Sequence, residues 1–345
     1  MKKYHSIRNR SNTISLLIEK KAVMIFLVLF CLSALLFIMG LSVGSTVINP
    51  IAIIEHLLGI GNGEYTFVIN TLRLPRMILA LLVGIALGVS GLILQGIIRN
   101  PLASPDIIGI TGGASVAAVM FITYFSDLSI KWLPFVAITG AGVVSLVIYL
   151  LAWKKGVTPI RIVLIGIGIA AVTGALVTMM IVLSPTYSSS EAYIWLTGSV
   201  YGANWENVYA MLPWVLIFVP IALLFSRTVN VQELGDQVAL GLGSRVQLHR
   251  FVLLFISVAL AGSAVAFAGG IAFVGLIAPH IARKLVGRSF GSLVPVSALI
   301  GGLIVVLADV VARTAFLPLD LPAGVFVSGI GAPFFIYLLY KNRNL

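Results

Sequence analysis

Apolar stretches long enough for a helix to cross the hydrocarbon of a bilayer, roughly 20 residues, alternate with short polar connections along nearly the whole chain. The first, 22–40, holds 19 residues without a charge. A cleaved signal peptide is the alternative, but the run exceeds the usual apolar region of about 7–15 residues, and no small-x-small cleavage site follows. It is read as an uncleaved first span. A mixed connection, 41–76, ends in Leu72-Arg73-Leu74-Pro75-Arg76. Spans are then predicted at 77–98, 107–125, 132–153 and 162–183. The polar segment 184–205 carries Trp195, Tyr201 and Trp205, residues suited to a membrane interface, and is expected to hold a short surface helix. A sixth span covers 207–226, and a charged segment fills 227–250. The uncharged run 251–282 is too long for one helix and is interrupted by Gly269, Gly270 and Pro279. It divides into spans near 251–269 and 272–285. Two more, at 289–308 and 321–340, complete a predicted all-α polytopic membrane protein of about ten helices. Residues 1–21 form a basic N-terminal segment ahead of a single transmembrane domain over 22–345.

Within this pattern, 84–113 is the most punctuated stretch. Gly84, Gly88, Ser90 and Gly91 stud one helix with small residues, which lets helices approach closely in lipid. After Gln95 the chain reads Arg99-Asn100-Pro101-Leu102-Ala103-Ser104-Pro105. Two prolines in five residues stop one helix and reset the chain, because proline lacks an N–H and disfavours helix just before itself. One reading is an ordinary turn between packed helices. The other is a hinge beside a pathway, since irregular backbone at membrane depth survives only against protein or a water-filled cavity.

Composition agrees: 60% hydrophobic residues, 10% charged, 34 glycines and a mean hydropathy of +1.12 lie far outside soluble averages. The net charge of +11 raises the possibility of nucleic acid, but its distribution argues otherwise. With the N-terminus, the even-to-odd loops and the C-terminus on the cytoplasmic side, 18 of the 22 Lys and Arg residues lie there. Only Arg73, Arg76, Lys131 and Arg313 remain outside. This is the positive-inside bias; it places both termini in the cytoplasm and makes the charge topogenic. If helices 2–5 correspond to helices 7–10, the halves are inverted repeats, a common transporter plan. The support is a Gly-rich helix followed by a Pro-broken hinge in each half, at Pro101 and Pro279.

Catalytic and metal chemistry find little footing. Cys31 is the single cysteine, and His5, His56, His249 and His280 are scattered without paired ligand spacing. His280, after Pro279, is read as a structural hydrogen-bonding residue rather than a ligand. The absence of any Gly-Lys pair excludes the phosphate loop G-x-x-x-x-G-K-[ST]. Of ionisable residues near the spans, Asp309 and Arg313 share a helix face at i,i+4, which suggests a local ion pair at the outer end of the ninth span. In the 227–250 segment, 230–243 reads as two short helices separated by Gly235. Val231 and Leu234 lie on one face of the first, and Val238, Ala239 and Leu242 on one side of the second. Such helices lie on lipid or fill a partner's groove; the acidic Glu233 and Asp236 favour the partner.

Five collinear stretches together resemble the FecCD family, the permease subunits of ATP-binding-cassette importers for iron–siderophores and vitamin B12. They are LRLPR at 72–76, GVSGLILQGIIRNPLASPDIIGITGGA at 88–114, LGDQVALGLG at 234–243, GGIAFVGLIAPHIAR at 269–283, and ADVVARTAFLPLDLPAGVFVSGIGAPFFIYLL at 308–339. The resemblance implies the fold of that permease group and import of a ferric chelate, with vitamin B12 or haem as alternatives within the family. It also implies a second permease subunit, identical or paralogous, two cytoplasmic ATPase subunits, and an extracellular or periplasmic binding protein. This chain would bind no cofactor itself, ATP and Mg being used by the ATPase. By the same resemblance Arg73, Arg76 and Arg313 meet acidic residues of the binding protein. Val231, Leu234, Gly235, Asp236, Ala239, Leu242 and Gly243 belong to the coupling helices that receive the ATPase. Asn100, Pro101, Leu102 and Ala103, with Gly156, Val157, Thr158 and Pro159, narrow the path on the cytoplasmic side. Gly166, Gly168, Thr173 and Gly174 of the fifth span line it. From different classes, an ion-coupled secondary transporter and a membrane-embedded enzyme stand as the other readings; the latter needs a clustered catalytic set that the sequence does not display.

Overall fold

The computed structural model of the chain describes residues 4–8, 15–61, 63–106, 108–125 and 127–341. Ile107, expected to open the third span, lies outside them, as do Lys2, Lys3 and Arg10. One antiparallel hairpin, β1 (Tyr4–Arg8) with β2 (Ser15–Glu19), pairs Tyr4 opposite Glu19. All other regular structure among the described residues is helical. In order it comprises α1 (Lys20–Ser42), α2 (Pro50–Leu57), a π-helical turn (Val68–Arg73) running into α3 (Leu74–Ile98), α4 (Ile110–Tyr124), α5 (Leu133–Ala152) and α6 (Pro159–Leu183). There follow α7 (Thr186–Thr197), α8 (Trp205–Leu224), α9 (Ser226–Glu233), α10 (Asp236–Gly241), α11 (Val246–Ala268), α12 (Val274–Val286), α13 (Phe290–Thr314) and α14 (Ala323–Lys341).

Eight of the described helices are long and apolar enough to cross a membrane. In place of the third and eighth predicted spans stand α4 and α12, with only 15 and 13 residues. The order long, short, long, long thus occurs twice, in α3–α6 and in α11–α14. The expected surface helix in 184–205 is α7. The sequence pattern misses α2, which Pro50 opens and the Asn49 side chain caps by accepting from the Ile51 N–H at 3.0 Å.

One helix is the hub. Of the apolar stretch ending in α3, 83% is buried, against 6% for α1 and 17% for α6. Helices α8, α11, α12 and α13 all pack on α3. Lipid offers no hydrophobic drive between helices, so close van der Waals approach has to supply the attraction. The small-residue stripe makes that approach possible. A Cβ on Gly84 would run into the Gly301 carbonyl of α13, and one on Gly91 into the Gly275 carbonyl of α12. Between them the Ser90 hydroxyl donates to the Ser257 carbonyl of α11 at 2.8 Å.

The second span does not begin at residue 77: with the π-helical turn it runs continuously from Val68 to Ile98. Arg73 and Arg76 read as a span boundary because charges end apolar runs, but both find partners inside the fold. Nor does Pro279 break its helix. The break after α11 comes at Gly269, whose φ of +67° turns the chain, and at Phe273, also at positive φ, while Pro279 lies within α12. A proline there leaves the carbonyl four residues back without its usual donor. That carbonyl belongs to Gly275, and the Gln95 side-chain amide of α3 donates to it at 3.2 Å. Against the expectation of a hydrogen bond, the buried Nε2 of His280, the next residue, has no partner among the described residues; its ring instead packs edge-on to Phe334 at 5.6 Å.

These contacts predict a contrast between two glycines. Gly91→Val should cost about 3 kcal/mol or more, because the clash is with backbone that cannot move aside. Gly142→Ala, where the added carbon meets open space, should leave thermal unfolding of the detergent-solubilised protein unchanged or slightly raised. Equal melting temperatures for the two variants would contradict the close approach.

Candidate functional site

Charged residues gather at both ends of α3. At its N-terminal end, α1 terminates with carbonyls that have no intrahelical donor. Arg73 supplies donors: its Nη1 reaches the Leu41 and Ser42 carbonyls at 2.6 and 3.2 Å, and its Nη2 the Thr46 carbonyl at 2.5 Å. Arg313, from α13, donates to the Gly40 carbonyl. Two guanidinia therefore cap one helix C-terminus, where positive charge is favoured by the helix dipole.

Arg76 sits between two carboxylates. Its Nε and Nη2 engage Asp309 at 2.8–3.1 Å, and its Nη1 and Nη2 form a two-pronged pair with Asp320 at 2.6 and 2.8 Å. The Tyr201 ring lies 5.5 Å from its guanidinium carbon. Asp309 is fully buried, and Arg313 Nε approaches it only to 3.8 Å. The local i,i+4 pair read from the sequence is thus the weaker contact; the main partner of Asp309 comes from another helix, 233 residues away. The three arginines wall a cavity of about 670 Å³ together with Tyr201, Asn204 and the loop residues Leu317–Asp320. None of their guanidinia is free on the surface: Arg73, Arg76 and Arg313 are all buried.

The C-terminal end of α3 holds a second network. Arg99 ends the helix in the left-handed conformation, φ 56°, and pairs with Asp236, the first residue of α10. Arg250, near the start of α11 and 1% exposed, donates from Nη2 to both Asp236 oxygens at 2.9 Å. Its Nη1 donates to the Val157 carbonyl. Gln247 also grips Val157, accepting from its N–H at 2.9 Å and donating to its carbonyl at 3.3 Å. Asn230 of α9 accepts from the Phe290 N–H at the start of α13, 3.0 Å. The Glu233 carboxyl is pushed above the ordinary range by desolvation, an effect opposed by Arg283 and Arg288.

The other expected residues take separate places. Asn100 folds its own turn, its side chain accepting from Leu102 N–H at 2.9 Å and its carbonyl from Ala103 N–H at 3.1 Å. Thr158 and Pro159 open α6. In 230–243, Gly235 and Gly243 take positive φ, Ala239 is buried, Val231 is half-buried, and Leu234, Val238, Leu240 and Leu242 are exposed. On α6 the expected lining set divides. Gly166 and Thr173 face α4, against Ile108 and Gly112, and are buried. Gly168 and Gly174 open onto empty space. Sequence reading passed over Asp320, Gln247, Arg250 and the acid Asp106, whose Oδ2 accepts from the Phe273 N–H at 3.4 Å. The surplus of arginine over acid at the N-terminal end of α3 was a usable clue to Asp320.

The two carboxylates around Arg76 differ in burial, so their variants should differ. Asp309→Ala removes the carboxylate beside the buried Arg313 and one of the two around Arg76, and should cost about 3 kcal/mol. Asp320→Asn, at a side chain 27% exposed, should cost less than half as much. Thermal unfolding of the two purified variants measures the difference, and equal losses would contradict the arrangement.

Comparison with known proteins agrees with this geometry. The FecCD transport family profile matches residues 29–341. The probable siderophore transport system permease protein YfhA of Bacillus subtilis is 49% identical, covering 94% of this chain and 97% of its own length. The achromobactin transport system permease protein CbrC of Dickeya dadantii is 50% identical over 88% of each chain. Among solved structures, an inward-facing metal-chelate type ABC transporter superposes with a TM-score of 0.81 at 30% identity, covering 93% of this chain and 99% of that one. Profile, relatives and fold agree over nearly the whole length, and the chain belongs to the FecCD transport family.

Proposed function

We propose that this chain is the membrane-spanning permease subunit of an ATP-driven importer that carries a ferric chelate into the cytoplasm. The observation that carries this is the α9–α10 unit: exposed apolar residues Leu234, Val238, Leu240 and Leu242 on or just beyond two short helices, which Asp236 ties to the α3 hinge through Arg99 and to the loop before α6 through Arg250. An exposed apolar row beside charged loops suits a protein partner. Family membership supports a pair of ATPase subunits as that partner; they would use ATP and Mg, and this chain would perform no covalent catalysis.

The C-terminal end of α3 then faces the cytoplasm, as do both chain termini, in keeping with the concentration of 18 Lys and Arg residues on that side. A second permease, identical or paralogous, covers the open face of α6, where Gly168 and Gly174 leave room for a bulky chelate between the two subunits. Asn100–Ala103 and Gly156–Pro159 form the inner constriction. On the outer side a binding protein delivers the chelate. Arg73, Arg76 and Arg313 serve its docking by fixing the outer ends of α1 and α13 and the loop through Asp320, because their guanidinia are already committed within the chain. Closure of the ATPase pair moves α9–α10, and the cavity alternates between the two sides. Differential contact in the two states drives the exchange; a partner bound equally in both would shift nothing.

An ion-coupled carrier is the second reading, and one observation favours it. Asp106 is a half-buried acid between the α3–α4 hinge and the start of α12, the kind of residue proton-coupled carriers use.

Two experiments test the assignment. Cells lacking this gene and its paralogues should lose uptake of radiolabelled iron given as one chelate class among hydroxamate, catecholate and citrate. Undiminished uptake of all three, with vitamin B12 and haem also unaffected, would contradict import by this chain. Leu234→Glu with Val238→Glu, both on exposed positions, should abolish co-purification of the ATPase while leaving the permease folded in the membrane; retained ATPase would exclude α9–α10 as its seat.

A further inference from the structure

Resting on the importer assignment above, the geometry points to Asp236 as the positioning residue that carries motion of the α9–α10 unit to both inner loops at once. Three observations converge on this carboxylate. It opens α10, directly after Gly235 at φ 113°, a conformation that lets the chain turn sharply between the two short helices. It pairs with Arg99, the residue that caps α3 just before the Asn100–Ala103 turn. It is held through both oxygens by Arg250, whose other amino group donates to the Val157 carbonyl in the loop before α6. One side chain thus lies a single contact from one loop and two from the other.

The chemistry suits transmission better than simple cohesion. Arg250 is 1% exposed, and a buried guanidinium without a counter-charge is costly, so Arg250 has to follow Asp236 when α10 moves. Val157 has to follow Arg250, because Gln247 and Arg250 together hold both its backbone groups. Arg99 forms the second arm from a half-exposed position, its side chain 31% exposed. Removing Arg99 cuts the link to the α3 hinge while the buried Arg250 keeps its partner. The two arms can therefore be severed separately.

The test uses the permease co-purified with its ATPase, reconstituted in liposomes with the binding protein and a radiolabelled ferric chelate, and reads chelate moved per ATP hydrolysed. Arg99→Gln should lower that ratio roughly tenfold, within the usual range for coupling between two sites, and Arg99→Lys should restore most of it. Asp236→Asn should lower the ratio further, with Asp236→Glu recovering part. Lys131→Gln, at an exposed pair with Glu206 that bonds to neither loop, is the control and should keep the wild-type ratio. Wild-type ratios in Arg99→Gln and Asp236→Asn overturn the assignment of Asp236. Loss of the ATPase from either variant also overturns it, since Asp236 would then be part of the docking surface. Failure of the wild-type complex to move any chelate on ATP hydrolysis would instead sink the importer assignment.

Discussion

The structure depends on α3 being approached closely from several sides. A helix that central cannot present large side chains to every neighbour, and in lipid it gains nothing from hydrophobic exclusion alone. Gly84 against Gly301, and Gly91 against Gly275, bring backbones into contact. The same closeness brings the Gln95 amide within reach of the carbonyl that Pro279 leaves without a donor. Small residues on one face and a single amide thus fix α11, α12 and α13 around α3. Its two ends, Arg76 and Arg99, are thereby placed where charge networks can form.

Those networks have opposite designs. At the N-terminal end one arginine, Arg76, lies between two carboxylates, Asp309 and Asp320. At the C-terminal end one carboxylate, Asp236, lies between two arginines, Arg99 and Arg250. The first is the more deeply buried and joins α3 to α13 and the loop beyond it, which suits a fixed scaffold. The second lies where short helices meet loops, with Arg99 and Asp236 each 31% exposed, which suits an element that moves. A permease needs both: a frame that holds its shape and a lever that does not.

The long apolar runs were legible because a membrane helix needs an unbroken stretch, and eight helices stand where such runs lie. The surface helix α7 and the pair α9–α10 were also legible, from interface aromatics and from Gly235. The start of the second span was not, since Arg73 and Arg76 end the apolar run locally, and the groups that satisfy them come from α1, α13 and the loop through Asp320. Pro279 misled for a similar reason: the donor to the Gly275 carbonyl that it leaves unpaired is Gln95, 180 residues from Gly275. For α6, sequence identified the small residues but not their orientation, because two glycines two positions apart, Gly166 and Gly168, face opposite ways around one helix. Resemblance assigned Asp236 to the coupling segment; only the fold puts it between Arg99 and Arg250.

The most direct measurement of the central claim is uptake of radiolabelled ferric chelate by liposomes holding the permease and its ATPase, with binding protein outside and nucleotide inside. Uptake should require ATP and the binding protein, and should persist when ionophores collapse every ion gradient. Uptake that proceeds without ATP and stops with the ionophores would contradict an ATP-driven importer and turn attention to Asp106.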